Sequence, residues 1–369
     1  MNLRTVISIA AAALLAAACV TQTPAGRNTV PFVREILSDR SSPEYDLLSL
    51  HSRPDSQGEI YFIGPAESCS KIVGAMLAQD NLDNIDGVAG DDGLEDYAGE
   101  TFTCIVDSLS YTYPQLVAER KEYIVRERAV RMALAALDTA CHLSPYDLEG
   151  MGTKLPAKMI VLADPTFAQY GKFDIDTLFR TTGCGIPVIA PLDVMFDEVF
   201  ESAGSRPVRV GLICEPRFAE SYAYQARFTK AMRRHDNEGS RCIVLPTRNE
   251  GGVMKSFLDD FMAGHYAFQL DYIVIDDITL NINDLKAELA SLISVMNEES
   301  MTYSRCIASE FSIIDPASSV SHRCYQILRK DNLFTHNIAK PQSSLYFPAL
   351  NPNVEDDSII LIPGTYVQN

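Results

Sequence analysis

Eight cysteines beyond Cys19, six histidines and 49 carboxylates are the groups in this 369-residue chain best equipped for chemistry. The cysteines, Cys69, Cys104, Cys141, Cys184, Cys214, Cys242, Cys306 and Cys324, are widely spaced, with no Cys-x-x-Cys pair and no zinc-type cluster. Cys104, Cys214 and Cys242 lie in apolar strand-like runs, where a buried free thiol is expected. The histidines are scattered and none forms His-x-x-x-His, so no metal site is expected. Ser68 and Lys71 have the Ser-x-x-Lys spacing of a hydroxyl nucleophile beside an amine, but no Lys-Thr-Gly segment accompanies them. The run Gly150-Met-Gly-Thr-Lys154 is phosphate-loop-like in composition but precedes a strand, the wrong side for that role. No nucleophile elbow and no dinucleotide-binding glycine signature is present, and no cofactor is expected.

Two further groups stand out. Residues 81–100 hold seven acidic side chains, no basic one and four glycines. With Gly87 at the turn of a calcium loop, Leu82 and Gly93 would take the first and last ligand positions, so the segment reads as a solvated loop. Glu215, Arg217 and Ser221 follow the apolar run PVRVGLIC, and Arg217 there is either a carboxylate clamp or a surface arginine.

Short apolar runs alternating with amphipathic stretches must position these groups. Strands are expected at 59–64 (EIYFIG), 101–106, 157–163 (AKMIVLA) and 185–190 (GIPVIA). Helices are expected at 69–79, 115–140, 174–180 and 193–201. The pattern restarts after 202–206, with strands at 207–214, 241–245, 270–275 and 311–314. Each is followed by a helix, at 219–234, 253–263, 282–296 and 316–328. Such alternation implies an α/β fold of two similar lobes, each a parallel sheet flanked by helices, with a cleft between them. Ligands in such folds sit beyond the carboxyl ends of the strands. The expected divisions are lobe 1 at 58–204, lobe 2 at 205–330, and a Pro- and Asn-rich tail at 331–369 with one strand-like run at 358–361.

The amino terminus has its own logic. Arg4 precedes an apolar run at 6–18, about the length of a signal-peptide core and short for a bilayer span. Ala16, Ala17 and Ala18 then lead into Cys19, which resembles a bacterial lipobox. The resemblance implies cleavage after residue 18, lipidation of Cys19, and a membrane anchor facing the periplasm, with Val20 pointing to the outer membrane. Ordinary secretory cleavage is the alternative. Residues 19–57 read as a tether, with a short helix at 30–37. The net charge of −18 argues against nucleic-acid partners, which require a basic surface.

Several segments, in order, resemble the aspartate/glutamate racemase superfamily over about 59–328. These are MIVLADPTF, GIPVIAPLD, RVGLICEPRFAESYAYQARF, DYIVIDDITL and FSIIDPASSVSHRCYQIL. The family places one cysteine at a strand end in each lobe, and the two thiols face each other across the substrate's α-carbon. Here Asp164 aligns with the first of those positions, and Asp277 with the second, or Ile278 if Thr279 is taken as the family threonine. The resemblance implies a site for a small carboxylated, amino-acid-like ligand built from Pro65, Glu67, Thr166, Glu215, Arg217, Ser221 and Thr279. A homodimer is compatible with it. The two aspartates read either as an acid/base pair split by burial, or as helix caps and contacts to a ligand's ammonium group. The function therefore reads as a pseudoenzyme or sensor, with two alternatives. One is a cysteine-independent racemase, isomerase or lyase; the other is a transporter's periplasmic substrate-binding protein.

Overall fold

The computed structural model describes residues 27–84, 87–144, 147–219, 222–278, 280–294, 302–335, 337–350 and 359–364. The proposed signal peptide and Cys19 lie outside them, as do Ser221 and Thr279. No helix among the described residues is long and apolar enough to cross a membrane.

The chain begins with two short helices, α1 (Pro31–Ser38) and α2 (Pro43–Leu50), each opened by a proline in the first turn. Strand β1 (Glu59–Gly64) leads into α3 (Ala66–Leu77), and β2 (Thr101–Val106) into α4 (Tyr113–Ala118) and α5 (Glu122–Leu137). A hairpin, β3 (Ala140–Ser144) and β4 (Asp147–Thr153), precedes β5 (Ala157–Leu162), α6 (Lys172–Thr182) and the two-residue β6 (Val188–Ile189). Then come α7 (Pro191–Ala203), β7 (Arg209–Cys214), α8 (Tyr222–Arg234), β8 (Arg241–Pro246) and α9 (Val253–Ala263). After these follow β9 (Leu270–Asp276), α10 (Ile282–Ser294), β10 (Ile307–Ile314), α11 (Pro316–Lys330), β11 (Gln342–Leu350) and β12 (Ile359–Gly364).

Lobe 1 is a six-stranded sheet in the order β12-β11-β2-β1-β5-β6, parallel except for the β11–β12 pair. Lobe 2 is a four-stranded parallel sheet, β10-β9-β7-β8. The central strands are nearly continuous apolar runs because helices cover both faces. Side chains alternate accordingly. On β1, Tyr61 and Ile63 enter one core, and Ile60 and Phe62 the opposite one. On β9, Tyr272 and Val274 enter one core, and Ile273 and Ile275 the other.

Four expectations change. The tether ends before Val30, because α1 and α2 bury Val30, Val33, Ile36 and Leu48 in the lobe 1 core. The expected single helix at 115–140 is two helices, broken where Arg120 adopts a left-handed φ of 60°. Residues 331–369 are no loose tail: β11 pairs with β2 and β12 closes the edge, with Leu361 buried. The lobe boundaries shift because α7 packs Met195, Phe196, Val199 and Phe200 into lobe 2, while α11 returns Val320, Cys324, Tyr325 and Leu328 to lobe 1. The chain thus crosses between lobes at β6–α7 and at β10–α11. All eight described cysteines are free and buried, as expected for Cys104, Cys214 and Cys242.

The acidic loop is self-satisfied. Asp80 accepts the N–H groups of Asp92 and Gly93, and Asp92 those of Asn84 and Leu94. The buried Asp96 accepts those of Asn81 and Leu82. These carboxylates replace a missing backbone ladder. No group of three potential metal ligands occurs among the described residues.

Candidate functional site

Strand ends from both lobes converge where the chain crosses. In lobe 1, the backbone runs from β5 into Asp164-Pro165, with the Asp164 N–H donated to the Ile63 carbonyl at 3.1 Å. Gly64 permits this approach: a Cβ there would lie 2.7 Å from the Asp164 nitrogen. Asp164 Oδ1 accepts the N–H groups of Thr166 (2.6 Å) and Phe167 (3.3 Å), with Pro165 opening the helical turn. This is a helix cap. The same Asp-Pro device recurs at Asp315, whose Oδ1 accepts from Ala317 and Ser318. Burial pushes the Asp164 carboxyl up to about 6, against the pull of its Thr166 and Phe167 hydrogen bonds and of the Arg217 charge.

In lobe 2, Arg217 pairs with Glu215 at 2.7 Å at the mouth of β7. Burial raises the Glu215 carboxyl; Arg217 opposes this, while Asp277 and Glu67 reinforce it. Glu67 stands in the first turn of α3, just after Pro65, which precedes that helix. Asp277 is buried and accepts the Thr247 hydroxyl at 2.7 Å. Asp276, one residue earlier, accepts the Tyr224 hydroxyl at 2.9 Å. Its carboxyl is pushed up to about 7, first by burial, with Tyr224 and Arg227 opposing and Glu215 and Asp277 adding to the rise.

A cavity of about 30 Å³ lies between the lobes. Its wall includes Pro165 and Gln169 from lobe 1, and Tyr224, Arg227, Asp276 and Ile278 from lobe 2. That volume suits a water molecule rather than an amino acid, so the lobes are closed on each other. Two cations hold them. Lys71 of α3 donates to the Ile278 carbonyl and, at 2.8 Å, to the Leu280 carbonyl. Arg227 of α8 donates to the Ala168 carbonyl across the junction and pairs with Asp193 at 2.5 Å.

The structure therefore gathers Glu67, Asp164, Glu215, Arg217 and Asp277 into one electrostatic neighbourhood. Neither Asp164 nor Asp277 lines the cavity. Thr166 is buried and serves the Asp164 cap. Asp276, Tyr224, Arg227 and Lys71 were not anticipated. Strand alternation carried the signal for Asp276: it shares the parity of Tyr272 and Val274, and so points to the α7–α8 face, whereas Asp277 lies just past the end of β9. The Ser68-x-x-Lys71 spacing is incidental, since Ser68 is buried and Lys71 is spent on carbonyls of the other lobe. Lys154 ends the hairpin rather than a phosphate loop. Burial pushes its amine down to about 8, and it contacts the Tyr61 hydroxyl and the Ala136 carbonyl, both at 3.3 Å.

Parallel sheets flanked by helices, in two lobes with a junction at the strand ends, make this the two-lobed α/β fold of the glutamate racemases. Glutamate racemase isoform RacE1 from Bacillus anthracis has 10% sequence identity and a TM-score of 0.50, covering 80% of this chain and 90% of that chain. Glutamate racemase from Francisella tularensis, solved in complex with D-glutamate, has 13% identity and a TM-score of 0.49, covering 80% and 89%. No family model and no curated protein matches the sequence.

Proposed function

We propose that this chain is a lipid-anchored envelope protein that uses a racemase-like fold to bind a small, amino-acid-like carboxylated metabolite between its lobes, without turning it over. One observation carries the reading. The carboxylates that the resemblance aligns with the family's thiols, Asp164 and Asp277, are engaged in a helix cap and a threonine hydrogen bond and lie off the cavity wall. A proton-transfer pair must instead reach one α-carbon from both sides. The fold shared with the Bacillus anthracis glutamate racemase supports an amino-acid-like ligand class by analogy.

The anchor belongs to the same proposal. Lipidation of Cys19 would place the body in the periplasm, tethered by the residues before α1. Labelling with an alkyne fatty acid tests this: incorporation is expected in the full chain and lost in Cys19→Ala.

One observation favours a second reading, an enzyme. Asp276 borders the cavity with its carboxyl held near neutrality, the condition that suits an acid/base group. Proton NMR of the body from residue 27, in heavy water with a panel of amino and hydroxy acids, separates the two. Binding without loss of any α-proton signal supports the pseudoenzyme. Exchange abolished by Asp276→Asn supports the enzyme.

A further inference from the structure

The charges at the lobe junction bear on which metabolite could enter. Six carboxylates approach it: Glu67, Asp164, Asp193, Glu215, Asp276 and Asp277. Three cations oppose them, and each is already committed to protein oxygens. Arg217 is paired with Glu215, Arg227 with Asp193 and the Ala168 carbonyl, and Lys71 with the Ile278 and Leu280 carbonyls. The cavity itself supplies an independent observation. Its wall carries Asp276 with the Tyr224 hydroxyl beside it, and its only charged partner of opposite sign is Arg227. A dicarboxylate entering here would add negative charge to a junction already short of positive charge, in a closed, poorly solvated space. An amine would instead meet the Asp276 carboxylate on the cavity wall, within the field of the other carboxylates of the junction.

We infer that the inter-lobe site selects a small monocarboxylate carrying more than one amine, a diamino acid of net positive charge, over a dicarboxylate such as glutamate. This rests on the reading of the junction as a binding site for amino-acid-like compounds and names the charge class that site takes. In the bound state Asp276 holds an ammonium group, and the negative field of Glu215 and Glu67 at the junction favours the second amine. The single carboxylate is left to the outer guanidinium, Arg217, which is 37% exposed at its side chain. Discrimination comes as much from repulsion of the second carboxylate as from attraction of the second amine.

Isothermal titration of the wild-type body with four free amino acids tests the inference: lysine, ornithine, glutamine and glutamate, each as both enantiomers. A diamino acid is expected to bind at least about tenfold tighter than glutamate, with glutamine between them. In Asp276→Asn the gap between diamino acid and glutamate should shrink by about tenfold. The wild-type ranking stands alone if that variant fails to fold. Glutamate binding as tightly as lysine and ornithine overturns the charge assignment and leaves the binding-site reading standing. Binding by none of the four overturns both.

Discussion

At the residue scale, the two aspartates singled out by sequence have different duties from the one that borders the cavity. If Asp164 is a cap, its substitution should follow capping chemistry. Asp164→Asn retains a side-chain oxygen for the Thr166 and Phe167 N–H groups, and the buried site no longer opposes a charge. It should be close to neutral or slightly stabilising. Asp164→Ala should cost about 1 kcal/mol, the usual loss of an N-cap. Chemical denaturation of the pair checks this; an equal loss in both variants would assign Asp164 a role that needs its charge. Asp276 predicts a pH dependence. Its carboxyl lies at about 7 in the folded chain, against about 3.9 in an unfolded one. The native state thus binds the extra proton between those values, and its contribution to stability is lost as pH rises through that window. Asp276→Asn does not titrate, so its stability relative to wild type should improve from pH 5 to pH 8, by on the order of 2–4 kcal/mol. Tyr224, Arg227, Glu215 and Asp277 surround the group and set the size of the effect. Urea midpoints at the two pH values read it; parallel profiles would place Asp276 in contact with bulk water.

At the element scale, the carboxyl-terminal segment is tied in by a buried ion pair. Lys158, inside β5, pairs with Glu100 at 2.7 Å, both side chains fully buried. Lys158 also donates to the carbonyls of Ser56 (2.9 Å) and Leu333 (2.8 Å). Glu100 Oε1 accepts the Thr335 N–H at 3.0 Å. One pair therefore joins the entry to β1, the end of the acidic loop, β5 and the approach to β11. Lys158→Met leaves the Glu100 carboxylate buried without its cation and should cost about 3–5 kcal/mol. The double variant Lys158→Met/Glu100→Gln should recover part of that loss, as thermal and urea unfolding would show. None of this was legible in the sequence. AKMIVLA announces a buried strand, but one lysine in it does not name its partner 58 residues earlier. QSSLYFPAL hides β11 for a related reason. Its polar start and Pro348 read as irregular, whereas the pairing to β2 is made by backbone and needs little from the side chains. By contrast, the central strands of both lobes and most helices were legible, because burial on both faces forces apolar runs and one-sided burial forces helical periodicity. The lobe crossings were not, since α7 and α11 show which face is apolar but not which lobe covers it.

At the scale of the whole molecule, the structure is a closed state. A space of about 30 Å³ admits no amino acid, so occupancy requires the lobes to part, and the two crossings at β6–α7 and β10–α11 are the connections about which they can do so. The contacts holding them shut are apolar, as where Ile278 and Val194 pack against the lobe 1 core, and polar. Lys71 reaches the carbonyls of Ile278 and Leu280, and Arg227 reaches the Ala168 carbonyl. Hydrogen bonds to a charged group contribute about 1.5–3 kcal/mol each, enough to bias an equilibrium between open and closed forms by tenfold or more without locking it. Lys71 is the cleaner probe, because it stands off the cavity wall and its loss leaves Asp276, Tyr224 and Arg227 in place. Lys71→Met should raise the open population. Amide hydrogen exchange should accelerate in residues 276–285 and at the start of α3, while the sheets keep their protection. Ligand should suppress that exchange in the wild type and less completely in the variant, and its affinity should fall because closure is part of binding. A variant that exchanges like the wild type, with or without ligand, would mean that the lobes are held by their apolar contacts and that entry runs through local motion at the cavity mouth instead.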